Sequence, residues 1–228
     1  MTIRKNLYTI LFGLIILSCP GNLPGQDSDF QSWWEFEIDY SLNKKWQIQG
    51  ELEQRFKDNS LQYNRTLLTL GAEYDAVKWL NLGGAARMAL VADSEGQVHP
   101  RYRIHVDAGS RYKFSGFTLW LRSRLQYGFE DLLLFQQLSE NSLVYRTRLK
   151  AQYHFFGTKF RSFVSLESWY YISELPDKAF RNMRYVAGLS YSLNVSARLT
   201  LRYIFEDEFN VRNPDKLHIL VAGYAHSL

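Results

Sequence analysis

The sequence predicts an all-β chain, a closed antiparallel transmembrane β-barrel of about 10–12 strands with short periplasmic turns and longer extracellular loops. Three observations predict it. Apolar and polar residues alternate with period two along nearly the whole chain. The connections between alternating segments are short and long by turns. The basic side chains are sorted, lysine to strand ends and arginine to the polar faces of strands.

Length and composition set the frame. A chain of 228 residues suits one β domain, and 22% charged residues exclude a helical membrane protein while leaving room for a barrel with a polar half. Aromatics reach 16%, with 15 Tyr and 6 Trp, which is high for a soluble domain. The net charge of +4 comes without a basic run, so nucleic acid is not an expected partner. Residues 1–25 read as a secretory signal: Arg4 and Lys5 open it, and Leu7 to Leu17 form an apolar core too short to span a bilayer. Cleavage is expected after Gly25, leaving 26–228 as the barrel. The rival is a lipoprotein cut before Cys19, although Leu17 stands where a smaller residue is usual. Because Cys19 is the sole cysteine, the exported chain has neither disulfide nor thiol chemistry.

The alternation is clearest from Trp33 to Phe56. Trp34, Phe36, Ile38, Tyr40 and Leu42 share one face, with Glu35, Glu37, Asp39 and Ser41 on the other. After the turn Asn43–Lys45 the same parity resumes with Trp46, Ile48 and Leu52. Nine further strands are expected: Tyr63–Asp75, Trp79–Val91, Arg101–Tyr112, Phe117–Phe129, Leu143–Phe155, Phe160–Ile172, Arg181–Leu193, Ala197–Glu206 and Leu217–Leu228. Short connections follow the odd strands and longer ones the even strands, which assigns the short turns to the periplasm. That count is odd, whereas bacterial single-chain barrels are even. The rule therefore favours ten or twelve strands, with one unseen around Ser28–Trp33 or within Glu130–Ser142, or one segment outside the wall.

Alternation alone does not separate a membrane barrel from a soluble one lined by its apolar face. The sorting of cations does. Arg55, Arg65, Arg87, Arg122, Arg146, Arg184 and Arg202 stand on polar faces, whereas lysines other than Lys150 fall in turns, loops or strand ends. Arginine pairs bidentately with carboxylates and suits a confined polar interior, while a solvated sheet would use lysine freely. Aromatics also cluster at both ends of the apolar combs. Tyr40, Trp46, Tyr74, Trp79, Tyr112, Phe117, Tyr153, Phe160 and Tyr191 fall near the short turns. Trp34, Phe56, Tyr102, Phe129, Tyr170 and Phe205 fall near the loops, as two interfacial girdles would.

The pattern Trp34…Glu37…Tyr40-x-Leu42-Asn43-Lys44-Lys45-Trp46, followed by Glu51-x-Glu53-x-Arg55-Phe56-x-Asp58-Asn59, is similar to the opening of domain-of-unknown-function family 2490 (DUF2490). Arg65, Leu70-Gly71, Tyr74, Trp79-Leu80, Leu82-Gly83 and Arg87 continue the likeness, which is good over residues 33–90 and diffuse afterwards. The resemblance implies an outer-membrane barrel of a Gram-negative bacterium with no assigned activity. Membrane lipid, lipopolysaccharide and the outer-membrane assembly machinery would be its partners. One departure is the final residue, Leu228, where such barrels usually end on an aromatic.

Inside the expected barrel, Arg-x-Arg recurs on three neighbouring strands as Arg101/Arg103, Arg122/Arg124 and Arg146/Arg148. Across from them stands an acidic arc of Glu35, Glu37, Asp39, Glu51 and Glu53. Six unpaired arginines in a narrow lumen would be costly, so carboxylate partners are expected. Two outcomes follow: an open lumen with a transverse field, acting as a narrow passive pore for small polar or charged solutes, or a salt-bridge network that plugs a structural barrel. A lipid-modifying enzyme is the competing class. Its base would be His105 beside Asp107, but no nucleophile is identifiable next to them. His99 with Asp93 and Glu95 reads as a solvated loop, and neither cofactor nor metal spacing is present. The apolar loop Glu130–Phe135 could dock a partner, constrict the lumen or supply a strand.

Overall fold

The computed structural model describes residues 28–93, 95–131, 136–137, 143–172, 174–175, 179–211 and 214–228. The expected leader at 1–25, with Cys19, lies outside them, as do residues 132–135 of the apolar loop.

Alternating sequence becomes long strands throughout. They are β1 (Ser28–Ser41), β2 (Trp46–Lys57), β3 (Gln62–Val77), β4 (Leu80–Ala92), β5 (Val98–Phe114) and β6 (Phe117–Asp131). A two-residue strand β7 (Gln136–Gln137) precedes β8 (Leu143–His154), β9 (Phe160–Tyr171), β10 (Phe180–Ser192), β11 (Ala197–Glu208) and β12 (Lys216–Ser227). Tight turns join them on one rim. Between β5 and β6 only Ser115 and Gly116 turn the chain, both at positive φ (39° and 82°), as a two-residue hairpin with right-handed strand twist requires. Asn43 and Asn194 close two other turns by accepting backbone N–H groups at 2.7–3.0 Å.

The barrel closes in the order β5-β4-β3-β2-β1-β12-β11-β10-β9-β8-β6, and β5 pairs with β6 to complete the ring. Among the described residues the wall therefore holds eleven strands, not the ten or twelve favoured by the even-count rule. Ser28–Trp33 is the first half of β1. Gln136–Gln137 pairs only with the end of β6 and is no wall strand. The odd number is accommodated by one parallel junction, in which β1 and β12 run side by side from Ser28↔Lys216 to Asp39↔Ser227. Every other wall pairing is antiparallel. The start of β1 consequently lies on the long-loop rim, where Asn59 N–H donates to Asp29 Oδ1 at 3.0 Å. The end of β12 lies on the short-turn rim, where Leu228 N–H donates to Asp39 O at 2.8 Å.

Parallel pairing is slightly weaker per residue than antiparallel pairing, and here it has apolar backing. Trp33, Ile204, Ile219 and Val221 pack together on the luminal side of β1, β11 and β12, all buried. Elsewhere the apolar combs point outward: Leu70 is 62% exposed, Val106 60% and Val164 59%. Such a band of exposed Leu, Val and Tyr is the surface a transmembrane barrel presents to lipid. Its short-turn edge carries rings in contact, with Trp46–Tyr74 at 4.9 Å, Phe117–Tyr153 at 4.7 Å and Phe160–Tyr191 at 4.8 Å between centroids. Toward the loops Tyr185 and Phe205 stack at 6.1 Å. Tyr102 and Phe129 stack at 5.7 Å, but Phe129 is only 2% exposed, so it does not take the girdle place expected of it.

Candidate functional site

Because successive side chains of a strand alternate between faces, outward apolar combs force the polar combs into the lumen. A cavity of about 810 Å³ lies within it. The six arginines of the expected basic arc all line this cavity, as do Glu35, Glu37, Glu51 and Glu53. Asp39 does not. It is buried near the short-turn end of β1, and its Oδ1 has no hydrogen-bond partner among the described residues.

The two arcs face each other, but their ion pairs form between near neighbours on the wall. Glu167 of β9 takes Arg122 Nη2 at 2.7 Å on one oxygen and Arg146 Nη2 at 2.9 Å on the other. Arg124 binds Asp107 with two parallel hydrogen bonds of 2.6 Å each. The acidic arc is met locally too: Arg55 pairs with Glu53, Arg202 with Glu35, and Arg87 Nη2 donates to Glu51 at 2.9 Å. A further pair joins Arg184 Nε to Glu206 at 2.9 Å. Among the described residues, Arg101, Arg103 and Arg148 of the basic arc have no carboxylate within 4.0 Å. Counted over the described lining, thirteen arginines and Lys150 stand against eight carboxylates, an excess of six positive charges.

An alternating stack of arginine and tryptophan stands inside this charged lining. The Arg55 guanidinium lies 3.6 Å from the Trp33 ring centroid, Arg184 lies 5.5 Å from Trp33 and 4.8 Å from Trp169, and Arg146 lies 4.7 Å from Trp169. Each contact is a cation–π pair. The same arginines reach Glu53, Glu206 and Glu167, so each cation is held both by a ring face and by a carboxylate. This array fixes side chains along the wall from β2 to β8. The opposite wall carries small residues toward the cavity, among them Gly71, Gly83, Ala85 and Ala89. Free space is thereby left beside β3 and β4.

Other residues singled out in the sequence take quieter places. His105 is buried with Nε2 3.8 Å from Asp107 Oδ2, but Arg124 already holds that carboxylate at 2.6 Å, so Asp107 does not orient the imidazole as a base. His99 Nε2 meets Asp93 Oδ2 at 3.0 Å at the loop before β5. His218 and His226 bond Tyr203 and Tyr224 hydroxyls at 2.6 and 3.2 Å.

Trp33, Trp169, Glu167 and Glu206 were not picked out from the sequence. Trp33 had a readable signal, since adjacent Trp33 and Trp34 cannot both face lipid. Trp169 and Glu167 likewise share one parity on β9, opposite to Leu166 and Tyr170. Lys150, the lysine that broke the sorting rule, reaches over Phe163 at 4.4 Å and Trp120 at 5.3 Å.

A family described as a protein of unknown function, DUF2490, matches residues 30–216, which extends the likeness well beyond residues 33–90. A solved structure of the NanC porin, in a rhombohedral crystal form, is similar with a TM-score of 0.52 at 13% sequence identity. The alignment covers 83% of this chain and 93% of that one. At such identity the likeness speaks for the fold. No curated protein matches the sequence.

Proposed function

The chain belongs to the DUF2490 family of proteins of unknown function, and we propose that it is a narrow passive pore of a Gram-negative outer membrane that favours small anions. The single observation that carries this reading is the excess of six positive charges along a cavity of about 810 Å³. At about 30 Å³ per water, that volume holds on the order of twenty-five waters, so the lumen is wet enough to pass a hydrated solute. Fixed guanidinium groups behind low-dielectric walls raise the local concentration of anions and lower that of cations. The stack of arginine and tryptophan joins β2 to β8 across part of the lumen, but the small residues of β3 and β4 leave open space beside it, which supports a pore over a plugged structural barrel. The apolar exterior and its aromatic edges support contact with lipid and lipopolysaccharide, and an exported barrel of this kind requires the outer-membrane assembly machinery. The porin-like fold and the engagement of Asp107 by Arg124 support a channel over a lipid-modifying enzyme.

Planar-bilayer recording of the refolded protein tests the proposal. We expect ohmic conductance with a reversal potential that reports anion preference under a KCl gradient, and a shift toward cations in Arg148→Glu. An electrically silent protein overturns it in favour of the plugged barrel.

A further inference from the structure

Most luminal cations near the long-loop end have a carboxylate. Arg55 has Glu53, Arg87 has Glu51, Arg146 has Glu167 and Arg184 has Glu206. Three cations between them do not. Arg103 stands beside Arg87 in the β4–β5 register, and the charges that act on it most strongly are those of Arg146, Arg87, Arg55 and Arg65, all of one sign. Arg65 feels Arg55 and Arg101 before any carboxylate, and its Nε donates only to the neutral Asn64 amide oxygen at 3.2 Å. Arg101 lies on the same inward face of β5 as Arg103, and all three line the cavity. None has a carboxylate within 4.0 Å among the described residues.

Other luminal cations without an ion pair sit differently. Lys150 covers the faces of Phe163 and Trp120, and Arg148 stands opposite Glu167 in register. Among the described residues, Arg111 and Arg198 also line the cavity without an ion pair, nearer the short-turn end, where Arg198 acts on Glu37 and Asp39. The cluster near the starts of β3 and β5 instead feels chiefly its own sign. Between Arg65 and Arg101 the wall offers Ala89 and Leu67, paired in register and without polar side-chain atoms to meet the guanidinium groups.

We propose that Arg65, Arg101 and Arg103 form a binding site in the long-loop half of the lumen for a small soluble anion with at least two negatively charged oxygens, of the carboxylate or phosphate class. The inference rests on the reading of the lumen as open to solutes. Arg65 and Arg103 are half-buried and Arg101 is exposed. Guanidinium groups surrounded by like charge are stabilised by a counter-anion that accepts their N–H donors, and the planar fork of arginine matches paired oxyanions. A monovalent anion would leave most of the excess uncompensated. Such a site would lie on the path of a solute entering from the loop side and would concentrate it there.

Isothermal titration of the full chain, refolded in detergent micelles at low salt, tests the site with citrate, inorganic phosphate and acetate as probes. Citrate is expected to bind at least tenfold more tightly than acetate. Arg103→Gln and Arg65→Gln should each weaken citrate at least tenfold, while Lys78→Gln, at an exposed short turn, should change it less than twofold. As a readout of folding, citrate should raise the melting temperature of the wild type and not that of Arg103→Gln, and Arg103→Gln should melt higher than wild type without citrate. Equal binding of citrate and acetate, or variants that bind citrate as the wild type does, would overturn the site. The same preparations in bilayers separate the two readings. A silent barrel that binds citrate overturns the pore and keeps the site, and a conducting barrel without citrate binding does the reverse.

Discussion

Trp33 and Val221 stand in register across the single parallel junction of the barrel, the first 4% exposed and the second fully buried. The indole thus covers the luminal side of the weakest ladder in the wall while its other face receives Arg55. Trp33→Ala should cost about 3–5 kcal/mol, the usual loss for a buried aromatic. Chemical denaturation in micelles measures it. Trp34→Ala, on the outward face at 59% exposure, should cost much less, and equal losses would show that the seam needs no backing.

Glu167 holds Arg122 and Arg146 at once with its side chain only 4% exposed. Glu167→Gln leaves two guanidiniums short of charge, so a destabilisation of roughly 3–5 kcal/mol is expected. Glu51 is more open, and Glu51→Gln should cost under about 1 kcal/mol. Both changes should increase anion preference in bilayers, and a preference that fell in Glu167→Gln would contradict the charge argument.

Ala85 and Ala86 are adjacent, yet the first lines the cavity and the second pairs with outward Leu70. Ala85→Trp should narrow the free side of the lumen and lower single-channel conductance at least twofold. Ala86→Trp should leave it unchanged. Equal conductance in both variants would place the permeation path elsewhere.

At the loop between β4 and β5, Asp93 accepts backbone N–H groups of Glu95 and Gln97 at 2.9 Å each and meets the His99 ring at 3.0 Å. Desolvation, which would raise its pKa, is outweighed by these hydrogen bonds, and the carboxyl is held below its ordinary value of 3.8. A depressed pKa stabilises the fold above the ordinary value, and the gain is lost as pH falls through the lowered one. Protection of the Glu95 and Gln97 amides, relative to their intrinsic exchange at each pH, should therefore hold from neutral pH down to about 4, the ordinary aspartate range, and fall only below it. In Asp93→Asn that acid step should vanish.

Much of the wall was legible in the sequence because period two is a strong signal and lipid demands it. β2, β8, β9 and β10 lie within two residues of their expected bounds. The parallel junction was not legible from an even-count rule, yet β12 carried a sign of it. Leu217, Ile219 and Val221 face inward while Leu220 and Tyr224 face outward, so this strand is apolar toward both lipid and the inner cluster around Trp33. The basic and acidic arcs were readable as faces, but their partners were not, because pairing follows reach between neighbouring strands. Glu167 lay in plain view on the polar comb of β9, and Asp107 stood out only as a neighbour of His105. The register that brings them to Arg122, Arg146 and Arg124 gives both their role.

An odd ring of strands also separates the ends of the polypeptide. Whatever precedes Ser28 departs from the looped rim, and whatever follows Leu228 departs from the opposite one. Short epitopes fused at the two ends would therefore sit in different compartments, and one intact cell would expose a single tag to antibody.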